Sequence, residues 1–262
     1  MDRKVQKKAL RVALTAARGA GLIALKHYKR LKKISLKEGA GLVSEADLQS
    51  EKFIIKCIRK VFPQHQFLGE EGGYTGEAGA QALWVVDPLD GTTNYVHGFP
   101  FFCTSIGLEM DGCLQVGVVH APLLKYTFTA MKGRGAFLNG KKIKVSKTDT
   151  VEDSLLATGF SYKKADTLEL ELRDFKSLAN AARGIRRAGS AALDMCMVAW
   201  GVFDGFWERE LSPWDTAAGT LIIREAGGIV TDFTGAPYHS SMKSVLAGNP
   251  QIHPLILNCV KP

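Results

Sequence analysis

Trp84-Val85-Val86-Asp87-Pro88-Leu89-Asp90-Gly91-Thr92-Thr93-Asn94-Tyr95 is the stretch on which the reading of this chain turns. The apolar run at 83–86 has the continuous hydrophobicity of a buried strand. It stops on Asp87-Pro88, and Gly91-Thr92 then open a short helix. Such a strand delivers Asp87 at its carboxyl end, with Asp90 three positions later beside the free N–H groups of a helix start. Carboxylates bind hard divalent cations and N–H groups bind phosphate oxygens, so one turn can hold a metal and a phosphate together. Taken alone, the pentapeptide reads equally well as a polar surface turn.

Other acids end or open other apolar elements. Glu70 and Glu71 follow Phe67-Leu68-Gly69, and Asp215 follows Trp214 at the start of a helix. Two or three carboxylates converging on shared Mg²⁺ ions match the two-metal logic of phosphate-ester displacement. No dinucleotide fingerprint, Walker loop or nucleophilic Ser/His/Asp signature competes with that reading.

Working outward, the spacing predicts an amphipathic helix over 5–31 and a second from an N-cap at Ser44, with Asp47 three residues on, to about residue 62. A strand at 66–68 is followed by a glycine-rich loop at 72–80, expected to be mobile. Strands are expected at 101–109, 114–120 and 126–131, with a hairpin turn at Asn139-Gly140. After a polar link at 146–153, strand patterns at 155–159, 185–187, 202–207, 229–231 and 244–246 alternate with helices at 167–182, 190–200 and 214–225 and one after Pro250. This is a layered α/β pattern, with a division into lobes 1–146 and 147–262.

The 262 residues are 46% hydrophobic and 23% charged, which excludes disordered, collagenous and membrane-embedded classes. The net charge of +8 is unevenly placed. Residues 1–33 hold eleven basic side chains and one acid, so the first helix carries +10 and the remainder −2. A basic helix face invites a nucleic-acid or protein partner, although most such faces are simply solvated. Five widely spaced cysteines in apolar stretches predict reduced core thiols and a cytoplasmic protein. No stretch is apolar for long enough to predict a membrane span.

Read together, five blocks resemble the inositol monophosphatase family of magnesium-dependent, lithium-sensitive phosphatases. They are Leu42-Val43-Ser44-Glu45-Ala46-Asp47, Gly69-Glu70-Glu71, the run from Trp84 to His97, Gly189-Ser190-Ala191-Ala192, and Trp214-Asp215-Thr216-Ala217-Ala218-Gly219 through Gly227-Gly228. They stand in the family's order across about residues 5–255. Gly41 and Ser44 depart from the Asp or Asn and the Thr that the family commonly has there.

The resemblance implies an αβαβα sandwich of the inositol monophosphatase and fructose-1,6-bisphosphatase type, usually homodimeric, with two to three Mg²⁺ per subunit. It implies Glu70, Asp87 and the Leu89 carbonyl as ligands of one ion, Asp87, Asp90 and Asp215 as ligands of another, and a third, weaker ion near Glu70. Glu70 would also position the attacking water, which the Thr92–Asp47 pair activates. The Gly91 and Thr92 amides would hold the phosphate, and Gly189, Ser190, Ala191 and Glu208 would meet the substrate ring. Asp90 and Asp215 would touch substrate as well. The implied substrate is a small polyol phosphate, with myo-inositol 1-phosphate first. Fructose 1,6-bisphosphate, histidinol phosphate and 3′-phosphoadenosine 5′-phosphate are the rivals. Outside this set, Glu71 reads as an outer carboxylate, His97 as a capping or packing residue, and Trp84 and Trp214 as core anchors. The cluster Arg183, Arg186 and Arg187 reads as surface or dimer contact, with anion steering as the alternative.

Overall fold

The computed structural model describes residues 1–31, 34–36, 42–77, 79–161 and 164–260. The expectation for the Gly-rich segment at 37–41, Gly41 included, lies outside them. Helix α1 (Arg3–His27) buries its alanine stripe, Ala9, Ala13, Ala16, Ala17 and Ala20. It ends four residues short of the expected limit: Lys29 adopts a positive φ of 58°, which the helix cannot continue through. A hairpin of β1 (Ile34–Leu36) and β2 (Leu42–Ser44), not foreseen from the sequence, leads into α2 (Glu45–Arg59). Ser44 and Asp47 form the capping box at its start.

The first sheet has the order β10-β9-β8-β7-β6-β5-β3-β4. Its strands are β3 (Gln66–Gly69), β4 (Gly73–Thr75), β5 (Ala82–Asp90), β6 (Cys103–Met110), β7 (Cys113–Ala121), β8 (Tyr126–Met131), β9 (Ala136–Leu138) and β10 (Lys141–Ile143). Only the β3–β5 pair is parallel. Two expectations need correction here. Residues 73–75, assigned to a loop, form β4 by pairing with β3. The strand expected to stop on Asp87-Pro88 continues to Asp90, because the register shifts against β6: Asp87 faces Ser105, and Asp90 faces Cys103. That bulge accommodates a proline inside the strand. It also undoes the two-residue alternation that would otherwise send Asp87 and Asp90 to opposite faces. The short helix α3 (Thr92–Val96) follows Gly91, whose φ of 89° makes the turn.

The second sheet, β12-β11-β13-β15-β14, is built from β11 (Leu155–Thr158), β12 (Gly184–Arg186), β13 (Gly205–Arg209), β14 (Ile229–Thr231) and β15 (Ser244–Gly248). Helices α5 (Ala191–Ala199) and α6 (Pro213–Glu225) pack on each other and on both sheets. They are buried almost all round, as a central layer requires. Helices α1 and α2 cover the outer face of the first sheet, while α4 (Lys164–Ala181) and α7 (Ile252–Leu257) pack on the second. The result is the expected αβαβα stack. Trp84 is buried among α1, α2 and the first sheet, with its indole N–H donating to His65 Nδ1 at 3.0 Å. All five cysteines are free, but only Cys103 and Cys196 are buried; Cys113 is exposed, so the expectation of five core thiols is corrected. None of the described helices is long and apolar enough to cross a membrane.

Candidate active site

The site forms where the carboxyl end of β5 meets the first turns of α5 and α6. Asp87, Asp90 and Asp215 each offer an oxygen, and these atoms lie within 4.8 Å of one another. Local donors hold each acid by one oxygen. Asp87 Oδ1 accepts the Leu89 N–H at 2.9 Å, and Asp215 Oδ2 accepts the Ser212 N–H at 2.7 Å within the capping box of α6. Asp90 Oδ2 accepts the Ser190 hydroxyl at 2.6 Å and the Ala192 N–H at 2.8 Å, and so caps α5 from a hundred residues away. The Cys103 thiol approaches the same oxygen at 3.8 Å.

Acids so crowded resist ionisation. Burial, then the neighbouring Glu70, Asp90 and Asp215, holds the Asp87 carboxyl well above the usual range, and Glu70 hydrogen-bonds to it. Asp215 is raised by burial and then by Asp90 and Glu70. Asp90 is raised by burial against the opposing pull of its donors from Ser190, Ala192 and Cys103. An all-oxygen set of converging acids that repel one another suits a hard divalent cation, which relieves the repulsion. The residues therefore fit Mg²⁺.

Behind this cluster, the Thr92 hydroxyl donates to Asp47 Oδ1 at 3.2 Å and to the Leu89 carbonyl at 3.0 Å. Asp47 is wholly buried, and its other oxygen accepts the Ser44 hydroxyl at 2.5 Å and the Ser44 N–H at 2.8 Å. Burial pushes its carboxyl up to about 6, against those two bonds. The structure thus brings Glu70, Asp87, Leu89, Asp90, Gly91, Thr92, Gly189, Ser190, Ala191, Glu208 and Asp215 around one cleft of about 220 Å³, with Asp47 reaching it through Thr92. Gly91 owes its lack of a side chain to the packing as well: a Cβ there would lie 3.0 Å from the Phe101 carbonyl and 3.2 Å from that of Gly189.

Glu208 comes from β13 on the far wall. Burial, opposed in part by Arg187, pushes its carboxyl up to about 8. Gly159 leaves the space it fills, since a Cβ at 159 would stand 2.1 Å from the Glu208 carboxyl carbon. Among the cleft residues not singled out as site residues from the sequence, three carry the most weight: Gly159, Asp194 and Arg187. Asp194 is buried on α5, its Oδ1 finds no hydrogen-bond partner among the described residues, and burial followed by Glu208 raises its carboxyl strongly. Of the arginine cluster only Arg187 lines the cleft, while Arg183 pairs with Asp153. The acid at 194 within an apolar helix was the available signal for one of the three. His97 is exposed at the end of α3, and Glu71 does not line the cleft, whereas Trp214 does.

A model of the inositol monophosphatase family matches residues 5–261. The chain belongs to the inositol monophosphatase family. Its relatives in that family include the "Nus factor SuhB" of Pseudomonas aeruginosa, 44% identical over 260 residues that cover 97% of this chain and 96% of the relative. The inositol-1-monophosphatase of Synechocystis is 42% identical over 245 residues, covering 93% and 85%. Among solved structures, the extragenic suppressor protein suhB from Bartonella henselae aligns with a TM-score of 0.93 at 39% identity, over 97% of this chain and 98% of that one. Family membership and fold together make this chain a phosphatase of the inositol monophosphatase type.

Proposed function

We propose that the protein is a Mg²⁺-dependent phosphomonoesterase that hydrolyses a small polyol phosphate, myo-inositol 1-phosphate first among candidates. The observation that carries this reading is the convergence of Asp87, Asp90 and Asp215 within 4.8 Å, with Glu70 bonded to Asp87. These acids and the Leu89 carbonyl would hold two Mg²⁺, with a third near Glu70. Bound Mg²⁺ supplies Lewis-acid polarisation of the phosphate ester and of the attacking water. Glu70 orients that water, and the Thr92 hydroxyl takes up its proton while passing its own to Asp47 Oδ1. The raised pKa of Asp47, about 6, suits a group that must accept a proton near neutrality. The Gly91 and Thr92 amides receive the phosphate, and the Gly189-Ser190-Ala191 backbone and the Glu208 carboxyl receive the polyol. Water is the nucleophile, so no phosphoenzyme forms.

Among the described residues, the far wall offers a second phosphate Arg187 alone, with Arg209 held elsewhere, which supports a monophosphate over a bisphosphate. Arg209 lines it, but its guanidinium is engaged: it donates at 2.6 Å to Asp174, which also pairs with Arg173, and lies 4.4 Å from the Phe233 ring centre. A phosphate-release panel over the four substrates tests this reading, with Mg²⁺, with EDTA and with added Li⁺. The expected result is the highest kcat/KM on myo-inositol 1-phosphate, loss in EDTA and inhibition by Li⁺; Mg²⁺-independent turnover would sink the proposal. Sedimentation at micromolar concentration tests the homodimer that the family implies.

One observation favours a second role beside catalysis. On α1 and α2 every exposed charged side chain is basic, among them Lys4, Lys7, Lys8, Arg11, Arg18, Lys52, Lys56 and Arg59, whereas Asp47 and Glu51 are buried. We read this outer helical layer as a nucleic-acid contact, in keeping with relatives that carry the name Nus factor. Single-stranded RNA binding that weakens steeply with salt, and on neutralising Lys4, Lys7, Lys8 and Arg11, supports it. A flat salt response removes it.

A further inference from the structure

Helix α2 carries a second buried acid, Glu51, one turn beyond Asp47 and on the same face. Glu51 Oε2 accepts the Glu71 N–H at 2.9 Å. That N–H sits at the tip of the β3–β4 hairpin, where Glu70-Glu71-Gly72 joins the paired residues Gly69 and Gly73. The preceding amide, that of Glu70, donates to the Val86 carbonyl at 3.1 Å. The tip is thus tied at one residue to β5 and at the next to α2.

The glycines around Glu51 carry the argument further. A Cβ on Gly69 would fall 2.3 Å from Glu51 Oε2, and one on Gly72 would fall 2.8 Å from Oε1. Neither glycine is among those with positive φ, so their backbone is open to any residue. What they supply is room for one carboxyl group. A buried acid reaching from a neighbouring element into a space cleared for it has the form of an orienting residue behind a metal ligand, which fixes the ligand without touching the ion.

We propose that Glu51 is a positioning residue of the metal site, holding the hairpin tip so that the Glu70 carboxyl stays against Asp87. This role rests on the phosphatase reading above. Together with Asp47 it makes α2 the common support of two site groups, with Asp47 acting through Thr92 and Glu51 through the Glu70 turn.

Calorimetric titration of Mg²⁺ into the full-length protein, paired with phosphate release as a function of Mg²⁺, tests it on Glu51→Ala, Glu51→Gln and Gly69→Ala. Glu51→Ala is expected to lose about 10–100-fold in Mg²⁺ affinity, the usual cost of removing a residue that orients a ligand. KM for the phosphate ester at saturating Mg²⁺ should stay unchanged. Glu51→Gln keeps an oxygen for the Glu71 N–H and should recover to within about threefold of wild type. Gly69→Ala, which displaces the same carboxyl from the other side, should weaken Mg²⁺ binding in the same direction. A folded Glu51→Ala protein with wild-type Mg²⁺ affinity overturns the proposal, as does a Gln variant no better than the Ala variant. If Glu51→Ala does not fold, wild-type affinity in Gly69→Ala overturns it instead. Wild-type protein that binds no Mg²⁺ marks failure of the phosphatase reading itself, and the role of Glu51 falls with it.

Discussion

At the scale of the residue, Asp87, Asp90 and Asp215 are each held by one oxygen, and the charge and space around the site's acids make testable predictions. Asp90→Asn keeps an oxygen for the Ser190 hydroxyl and the Ala192 amide but removes a charge from the cluster. Turnover should fall by more than about 100-fold. Thermal unfolding of the metal-free variant should shift upward, because like charges are relieved. Near wild-type phosphate release would contradict the assignment. Gly159→Ala drives a methyl into the Glu208 carboxyl. It should raise KM for a polyol phosphate several-fold while leaving hydrolysis of p-nitrophenyl phosphate, which lacks ring hydroxyls, nearly unchanged. Glu70, Asp87, Asp90 and Asp215 were legible in the sequence because they stand where an apolar element ends or opens, a position that periodicity marks; Asp194, inside an apolar helix, was not. Gly159 was not legible, and Arg187 only as the alternative to a surface or dimer contact, because their place in the cleft depends on how the second sheet packs against the first.

At the scale of the element, two of the site's acids are also N3 residues of capping boxes, Asp47 in α2 and Asp215 in α6. Ser44→Ala removes a hydroxyl that both caps α2 and bonds Asp47. It should cost about 1 kcal/mol in denaturant unfolding. It should also lower kcat more than KM, since Asp47 then holds Thr92 less firmly; a stability loss with unchanged kcat would separate the two roles of Ser44. The N-cap at Ser44 could be read locally, because a cap is a matter of four consecutive residues. The extension of β5 through Pro88 could not, because the bulge exists only in register with β6. The same holds for β4, whose three residues are a strand only by virtue of β3. Asn139-Gly140, by contrast, is a turn by its own chemistry, with φ of 49° and 80°.

At the scale of the whole molecule, buried titrating groups set a pH dependence whose sign can be worked out. Glu208 is raised from 4.5 to about 8, and Asp47 from 3.8 to about 6. Each stabilises the fold fully below its ordinary value and loses that contribution as pH climbs to its folded value. His65, His120 and His253 are lowered from 6.5 by burial and act in the opposite sense, gaining stability as pH rises to 6.5 and adding nothing beyond it. The metal-free protein should therefore lose thermal stability between pH 6.5 and 8, read by scanning calorimetry in EDTA. Mg²⁺ should flatten or reverse that slope, because it binds the ionised acids. A rising profile in EDTA would show that these acids are hydrated in solution. Charge is divided by layer as well: +10 belongs to the first 33 residues, and the body that carries the acids is −2. The layered architecture was legible from the alternation of patterns along the chain. The convergence of α5 and α6 on both sheets was not, since their nearly uniform burial leaves little periodicity to read.

The backbone donors that hold the site's acids have one more consequence. The amide protons of Ser44, Leu89, Ala192 and Ser212 are each bonded to a site carboxylate, so they end on the acids Asp47, Asp87, Asp90 and Asp215. Exchange of these four protons with deuterated solvent is thereby a direct gauge of order at the acid cluster. All four should slow together as Mg²⁺ is added, at sites contributed by both halves of the chain, while the amides of the outer α1 surface keep their pace.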